Sequence, residues 1–371
     1  MEQPPLIKFL VSSPYGDVPV DPDRLHLPLE CDPLKTPYKI YFQSIEAFLR
    51  KQRFEPLLRA AAKKSDLEVT EQGVKEIIVR TEKHGALYHP ASIELALNDS
   101  KIMFGLNVAV FETGRDWLRK EFEVIRKINS KFNLPYLPGV YIFDEQGSMS
   151  FLLEDWFEGY HEFHLSLTDS GKQSIKLWEY GKGDIYLSSE ESFEIYRQAS
   201  KILTLYYDVN EFSQIFPWHH AAGDFIAKVA GDEVDLRLTT ARQYEPYMVF
   251  QEEGGLNPVL ALFFFLLNLC LKMRLDKLDG VGDTAWADDF CIEASVKGFL
   301  DGLRLKEELK HYFSSEDEFF DLLKSFSPED LKIAHVPLID LYKGTADHQV
   351  ITANFDRHVE TLYATLQTFP S

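Results

Sequence analysis

The chain has 371 residues, 45% of them hydrophobic, enough to bury cores for two or three domains or lobes, and this excludes a disordered protein. Lys and Arg total 39 against 59 Asp and Glu, a formal net charge of −20 that repels nucleic acid and anionic membranes, so neither is expected as a partner. The three cysteines (Cys31, Cys270, Cys291) lie far apart without CxxC spacing, which argues against a disulfide framework or a structural zinc site and fits a cytoplasmic setting.

Residues 1–40 are rich in proline and acid and read as an extended arm, with no basic-then-apolar secretion signal at the start. Phe42, Ile45, Phe48, Leu49 and Phe54 recur at helical spacing, predicting one helix from Tyr41 to Lys64 with its basic end at the C-terminus. Strands are expected at Ile77–Arg80, Ser92–Leu97 and Lys101–Glu112, then a helix from Gly114 to Asn129 with Trp117, Leu118, Phe122, Ile125 and Ile128 on its apolar face. Two further strands, Val140–Phe143 and Met149–Trp156, flank the turn Glu145–Ser148. Three strands, one helix and two strands predict a small antiparallel sheet with a helix packed on it.

After residue 160 helices are expected at 190–212, 256–274, 286–303, 316–325 and 347–368. The apolar run Pro258–Leu271 is shorter than the roughly 18–20 residues a bilayer requires and reads as a buried helix. Between the first two helices lies the nearly uncharged segment Phe216-Pro217-Trp218-His219-His220-Ala221-Ala222-Gly223-Asp224-Phe225, followed by a Gly231-Asp232 turn and the strand Val234–Leu238. A polar loop held between regular elements is a usual place for catalytic groups. Domain bounds are set at 1–68 (arm and helix), 69–159 (sheet and helix) and 160–371 (helical lobe).

This order resembles the protein-kinase-like fold, most closely its aminoglycoside/choline phosphotransferase branch, over about residues 70–305. Arg115-Asp116-Trp117-Leu118-Arg119-Lys120-Glu121 resembles the N-lobe helix that carries a glutamate. Phe151-Leu152-Leu153-Glu154-Asp155-Trp156 resembles the strand and hinge facing the adenine, and His220 to Asp224 the catalytic loop. The resemblance implies an α+β, bilobal protein with a small antiparallel-sheet N-lobe, a larger mainly helical C-lobe, and ATP with magnesium as cofactors. Asp224 would then be the general base for a small-molecule hydroxyl, with His220 in the same loop. Gly85 would lie over the phosphates with Lys83 or Lys101 as the cation; Glu121 would be the ion-pair acid, and Glu154 and Trp156 would face the nucleotide. Glu162 and His164 fall just past the hinge, where a ligand would enter, and Asp235 is the carboxylate nearest the second metal position.

The chain departs from the family's pattern in several places. His220 stands four residues before Asp224 rather than two, no asparagine follows at the expected position, the third strand ends Val108-Ala109-Val110-Phe111 without a lysine, and Leu238 to Ala241 contains no aspartate. A catalytically inactive, kinase-like binding or regulatory protein is therefore the first alternative. A metal-dependent hydrolase is the second: on a helix, His161 and His164 would share a face at i, i+3 and, with His220 and Asp224, hold a transition metal. Arg242 either binds a phosphate or carboxylate through its planar fork or pairs with one of the many surface acids. Asp224 has a structural reading too, as a cap of the following turn.

Overall fold

In a computed structural model of the chain, residues 4–368 are described apart from 14, 83, 86, 180, 181, 232, 248–250, 253, 254, 314 and 315. Lys83 and Asp232 thus lie outside the described residues. The chain divides into two compact units: residues 1–159 with 180–183, and residues 160–179 with 184–371.

The first unit contains β1 (Leu6–Val11), β2 (Val18–Pro19), α1 (Tyr38–Arg50), α2 (Glu55–Ser65), β3 (Glu76–Thr81), β4 (Ala91–Ala96), β5 (Lys101–Ala109), α3 (Glu112–Phe132), β6 (Val140–Gln146) and β7 (Met149–Asp155). Its seven-stranded sheet runs β2-β1-β3-β4-β5-β7-β6. From β3 onward the expected succession of three strands, one helix and two strands is present, with neighbours antiparallel. Alternate apolar positions fill the core, among them Ile77, Val79, Ile93, Leu95, Phe104, Leu106, Phe151 and Leu153. Phe48 of α1 stacks on Phe151 with ring centroids 4.9 Å apart.

Two expectations need correction in this unit. Leu6–Val11 is not a free arm: it is β1, parallel to β3, which makes the sheet mixed rather than antiparallel. The helix expected from Tyr41 to Lys64 is two helices. Pro56 sits in the first turn of α2, where its missing N–H costs nothing; in a continuous helix its ring would clash with the residue 52 carbonyl.

The second unit contains β8 (His161–Leu167), β9 (Gln173–Glu179), β10 (Gly183–Tyr186), α4 (Ser189–Tyr206), β11 (Ser213–Phe216), β12 (Phe225–Ala230), β13 (Glu233–Leu238), β14 (Gln243–Pro246), β15 (Gln251–Glu252) and β16 (Gly255–Leu256). There follow α5 (Pro258–Met273), β17 (Leu275–Lys277), β18 (Thr284–Trp286), α6 (Phe290–Leu303), α7 (Glu316–Ser325), α8 (Pro328–Asp340) and α9 (Ala346–Thr368). The expected helices are there, and α8 is added, opened by a Ser327–Asp330 capping box and Pro328 at its start. The mainly helical expectation is corrected by a five-stranded sheet, ordered β10-β9-β8-β12-β13. The whole protein is α+β. Among the described residues no helix is long and apolar enough to cross a membrane.

Helices α4 and α6 approach closely because α6 has glycine at the contact. A β-carbon on Gly298 would lie 1.9 Å from the Arg197 carbonyl oxygen, and one on Gly302 would lie 2.7 Å from Thr204 Cβ. The Ser200 hydroxyl crosses the same interface to donate to the Ser295 carbonyl at 2.5 Å. Gly298→Ala is expected to destabilise the protein by about 3 kcal/mol, more than Gly302→Ala, because backbone cannot yield as a side chain can. Urea unfolding of both variants checks this; an unchanged midpoint for Gly298→Ala contradicts the close approach.

Candidate functional site

Two strand pairings in the second unit build the site. Phe225 is paired with Leu238 in the β12–β13 hairpin, and Phe216 is paired with Gln243 between β11 and β14. The segments 217–224 and 239–242 are therefore held opposite each other. Thr239 closes the hairpin, its amide donating to the Asp224 carbonyl at 2.9 Å and its hydroxyl to the Gly223 carbonyl at 3.0 Å.

Asp224 and Arg242 meet across this frame. Arg242 donates to the carboxylate as a fork, Nη1 to Oδ2 at 2.9 Å and Nη2 to Oδ1 at 2.7 Å. The His219 amide adds a third donor to Oδ2 at 2.9 Å. Asp224 is only 1% exposed. The acid that Arg242 meets is therefore a buried one, Asp224, and not one of the surface acids expected from the sequence.

His220 is equally enclosed, in a cage of Phe163, Tyr196, Trp218 and Phe225 with ring centroids 5.5–5.9 Å away. Neither ring nitrogen has a hydrogen-bond partner among the described residues. Burial pushes its pKa down to about 3, with the charges of His219 and Lys272 adding to the effect. The ring is neutral at any ordinary pH. His219 is lowered as well, by burial first and Lys272 second.

Glu162 and His164 project from the same side of β8, two residues apart, toward this loop. Their carboxylate and imidazole Nε2 lie 3.7 Å apart. Two glycines in left-handed conformations close over them. A β-carbon on Gly223 (φ +67°) would lie 3.0 Å from Glu162 Oε1, and one on Gly280 (φ +76°) would lie 2.7 Å from His164 Nε2. Behind them, Asp276 accepts from the Leu165 amide at 2.8 Å and the Lys277 amide at 2.7 Å, and burial raises its pKa to about 6. Asp279 takes Ser166 Oγ at 2.8 Å and Lys176 at 2.5 Å, which hold its carboxyl below the usual range.

The structure thus brings Asp224, His220, Glu162, His164 and Arg242 into one neighbourhood. It does not add Asp235. That residue is on β13, three positions before the Leu238 that pairs beside Asp224, about 10 Å along a strand. Its carboxylate takes the Tyr160 hydroxyl at 2.5 Å and the Arg237 guanidinium. The shared helical face expected for His161 and His164 is corrected too: they lie on a strand, where a spacing of three turns them to opposite sides. Among the described residues no group of three His, Cys, Asp or Glu side chains is arranged to hold a metal.

The remaining candidates belong to the first unit. Gly85 donates its amide to the Tyr88 carbonyl at 3.0 Å, and Lys101 is an exposed residue paired with Glu158 at 2.7 Å. Glu121 is on the buried stripe of α3 with Leu118, Ile125 and Ile128, 1% exposed. Glu154 is buried as well, and Asn107 of β5 donates to its Oε1 at 2.8 Å. Burial first, then the charges of Glu121 and Asp155, raise the Glu154 pKa well above normal. Trp156 is half-buried beside Gly105.

Sequence reasoning gave no site role to Trp218, Asp276, Gly280 or Lys272. The Asp279-Gly280 pair is a turn signal that could have marked Gly280 itself and nearby Asp276, while Trp218 lay in the loop already singled out. Lys272 was hidden at the end of an apolar run. Comparison with protein-family models found no match, and comparison with curated proteins found none either.

The enclosed His220 makes acid lability a consequence of the site. Its ordinary pKa of about 6.5 applies in the unfolded chain, while the folded value is about 3. Below pH 6.5 the unfolded state therefore binds a proton that the folded state refuses, so stability is lost as pH falls toward 3. Asp276, raised in the fold, offsets part of this below about pH 6. His220→Phe keeps an aromatic ring in the cage and removes the titration. It is expected to lessen the stability lost between pH 6.5 and pH 5 by about 2 kcal/mol. Urea titrations at the two pH values, on wild type and variant, measure it; parallel losses would show that His220 does not carry the effect.

Proposed function

We propose that this chain is a kinase-like protein that acts by binding a small molecule or nucleotide and does not transfer a phosphoryl group. The kinase-like plan is supported by the succession β3-β4-β5-α3-β6-β7, with a buried glutamate on the helix, and by a loop-and-hairpin segment carrying Asp224 in a separate unit. The observation that carries the inactive reading is the engagement of Asp224. A general base must reach within about 2.6–3.2 Å of the proton it takes. Asp224 is buried and spends both oxygens on Arg242 and the His219 amide.

Two further features point the same way. On β5, where the resemblance calls for a lysine, the only lysine is the exposed Lys101, and Asn107 is the residue that reaches Glu154. The described residues also do not fit the magnesium of a phosphotransferase: Asp235 is bound to Arg237 and Tyr160, and residues 238–241 supply no carboxylate. The metal-dependent hydrolase is disfavoured because His161 and His164 face opposite sides of β8. The ATP-dependent phosphotransferase remains the rival that the strand and helix order favours.

Thermal unfolding and ATP turnover of the full chain separate the two. The expected outcome is no magnesium-dependent rise in midpoint with ATP and no release of ADP. A working site filled at about 100 times its dissociation constant would add roughly 2.7 kcal/mol. A magnesium-dependent rise accompanied by ATP turnover that Asp224→Asn abolishes would overturn the inactive reading.

A further inference from the structure

The second unit contains a hollow where the end of α4, β11, α5 and α8 come together. It measures about 250 Å³ including its open side, and its enclosed floor has room for about one water-sized group. Local sequence builds the walls. Tyr207 follows the last turn of α4, and the Asp208 carboxylate accepts from the Asn210 and Glu211 amides at 2.9 and 3.0 Å. That turn brings the chain back, with the Asp208 amide donating to the Ser213 carbonyl at 2.9 Å, so that Phe212 enters the wall just before β11. Phe265 of α5 packs on Tyr207 with ring centroids 4.4 Å apart. Ala261, one turn earlier on the same helix, lines the hollow without filling it.

Three polar side chains belong to this apolar wall. Asn268 is 7% exposed; its Oδ1 accepts from the Tyr342 hydroxyl at 3.3 Å, and its amide NH2 meets no acceptor among the described residues. Tyr207 is 1% exposed and its hydroxyl has no partner among them either. Burial first, then the Asp208 charge, raise its pKa, so it stays a donor. The half-buried Gln214 amide makes no side-chain hydrogen bond among the described residues. None of the lining residues is charged. A buried donor without an acceptor is costly, and an apolar hollow with a few polar groups in its wall is the form that small-molecule sites take.

We propose that this hollow binds a small neutral ligand that carries a hydrogen-bond acceptor on a flat apolar body, the chemistry of an aryl ketone or amide. The acceptor takes the Asn268 amide hydrogens, and the body packs against the rings of the wall. An ionic ligand would give up its hydration where no wall charge replaces it. The site goes beyond the kinase-like reading and does not rest on it. None of its residues belongs to the Asp224 loop, and Leu338 of α8, which also lines it, lies outside the residues that the resemblance covers.

The test is ligand-detected NMR titration of the full chain with three probes. Acetophenone has the ring and the acceptor, α-methylstyrene replaces the carbonyl oxygen with a methylene group, and benzoate adds a charge. Acetophenone is expected to bind saturably with a dissociation constant of about 1 mM, roughly tenfold more tightly than either of the others. Ala261→Leu and, from the half-buried rim, Gln214→Phe each fill the hollow. Each is expected to weaken acetophenone binding roughly tenfold, with the urea midpoint showing that the variant is folded. No saturable binding of acetophenone up to about 10 mM would overturn the proposal. So would α-methylstyrene or benzoate binding as tightly in wild type, or an affinity unchanged in the folded variants.

Discussion

Asp224 holds a negative charge in the interior of the second unit, and the loop around it is arranged so that Arg242 can neutralise it. Leaving a buried carboxylate unpaired costs about 3–5 kcal/mol, so the pair constrains everything that brings its two members together. Those parts are the register of β12 on β13, the register of β11 on β14, and the Thr239 bonds that close the hairpin. The fork geometry of the guanidinium fixes orientation as well as charge. The His219 amide then draws the preceding turn onto the same carboxylate.

Once that turn is fixed, the neighbouring groups follow. Trp218 and His220 are carried into the aromatic cage with Phe163, Tyr196 and Phe225, which leaves the imidazole without a polar partner among the described residues. Gly223 and Gly280 allow backbone to close over Glu162 and His164, where any side chain would collide. The neighbourhood is rich in chemically capable residues, yet its central acid and its central imidazole are both shut away. A binding role fits this distribution better than proton transfer does.

The sequence made the regular elements of the first unit legible because their periods are clean. Ile77, Val79, Ile93 and Leu95 alternate, and Leu118, Ile125 and Ile128 mark one helical stripe. The stripe also contains Glu121, which a hydrophobicity pattern cannot show to be inward. Pro56 was a readable helix break that the longer apolar rhythm from Phe42 to Leu58 obscured. The strand β8 was missed because the two histidines drew a helical spacing, although Phe163 and Leu165 already alternated as a strand does. At the site, the loop and Asp224 stood out by composition. The partner of Asp224 did not, since Arg242 was equally compatible with a ligand, and only the β11–β14 pairing decides between them. Lys272 gave no signal, because a lone lysine after an apolar run reads as a helix end.

A double-mutant cycle on Asp224→Asn and Arg242→Gln, followed by urea unfolding, tests most directly whether this pair organises the unit. A coupling of about 3 kcal/mol between the two substitutions is predicted, with either single variant nearly as unstable as the double. A coupling below about 0.5 kcal/mol, the value of an exposed ion pair, would contradict the account and return Asp224 to the reactive residues.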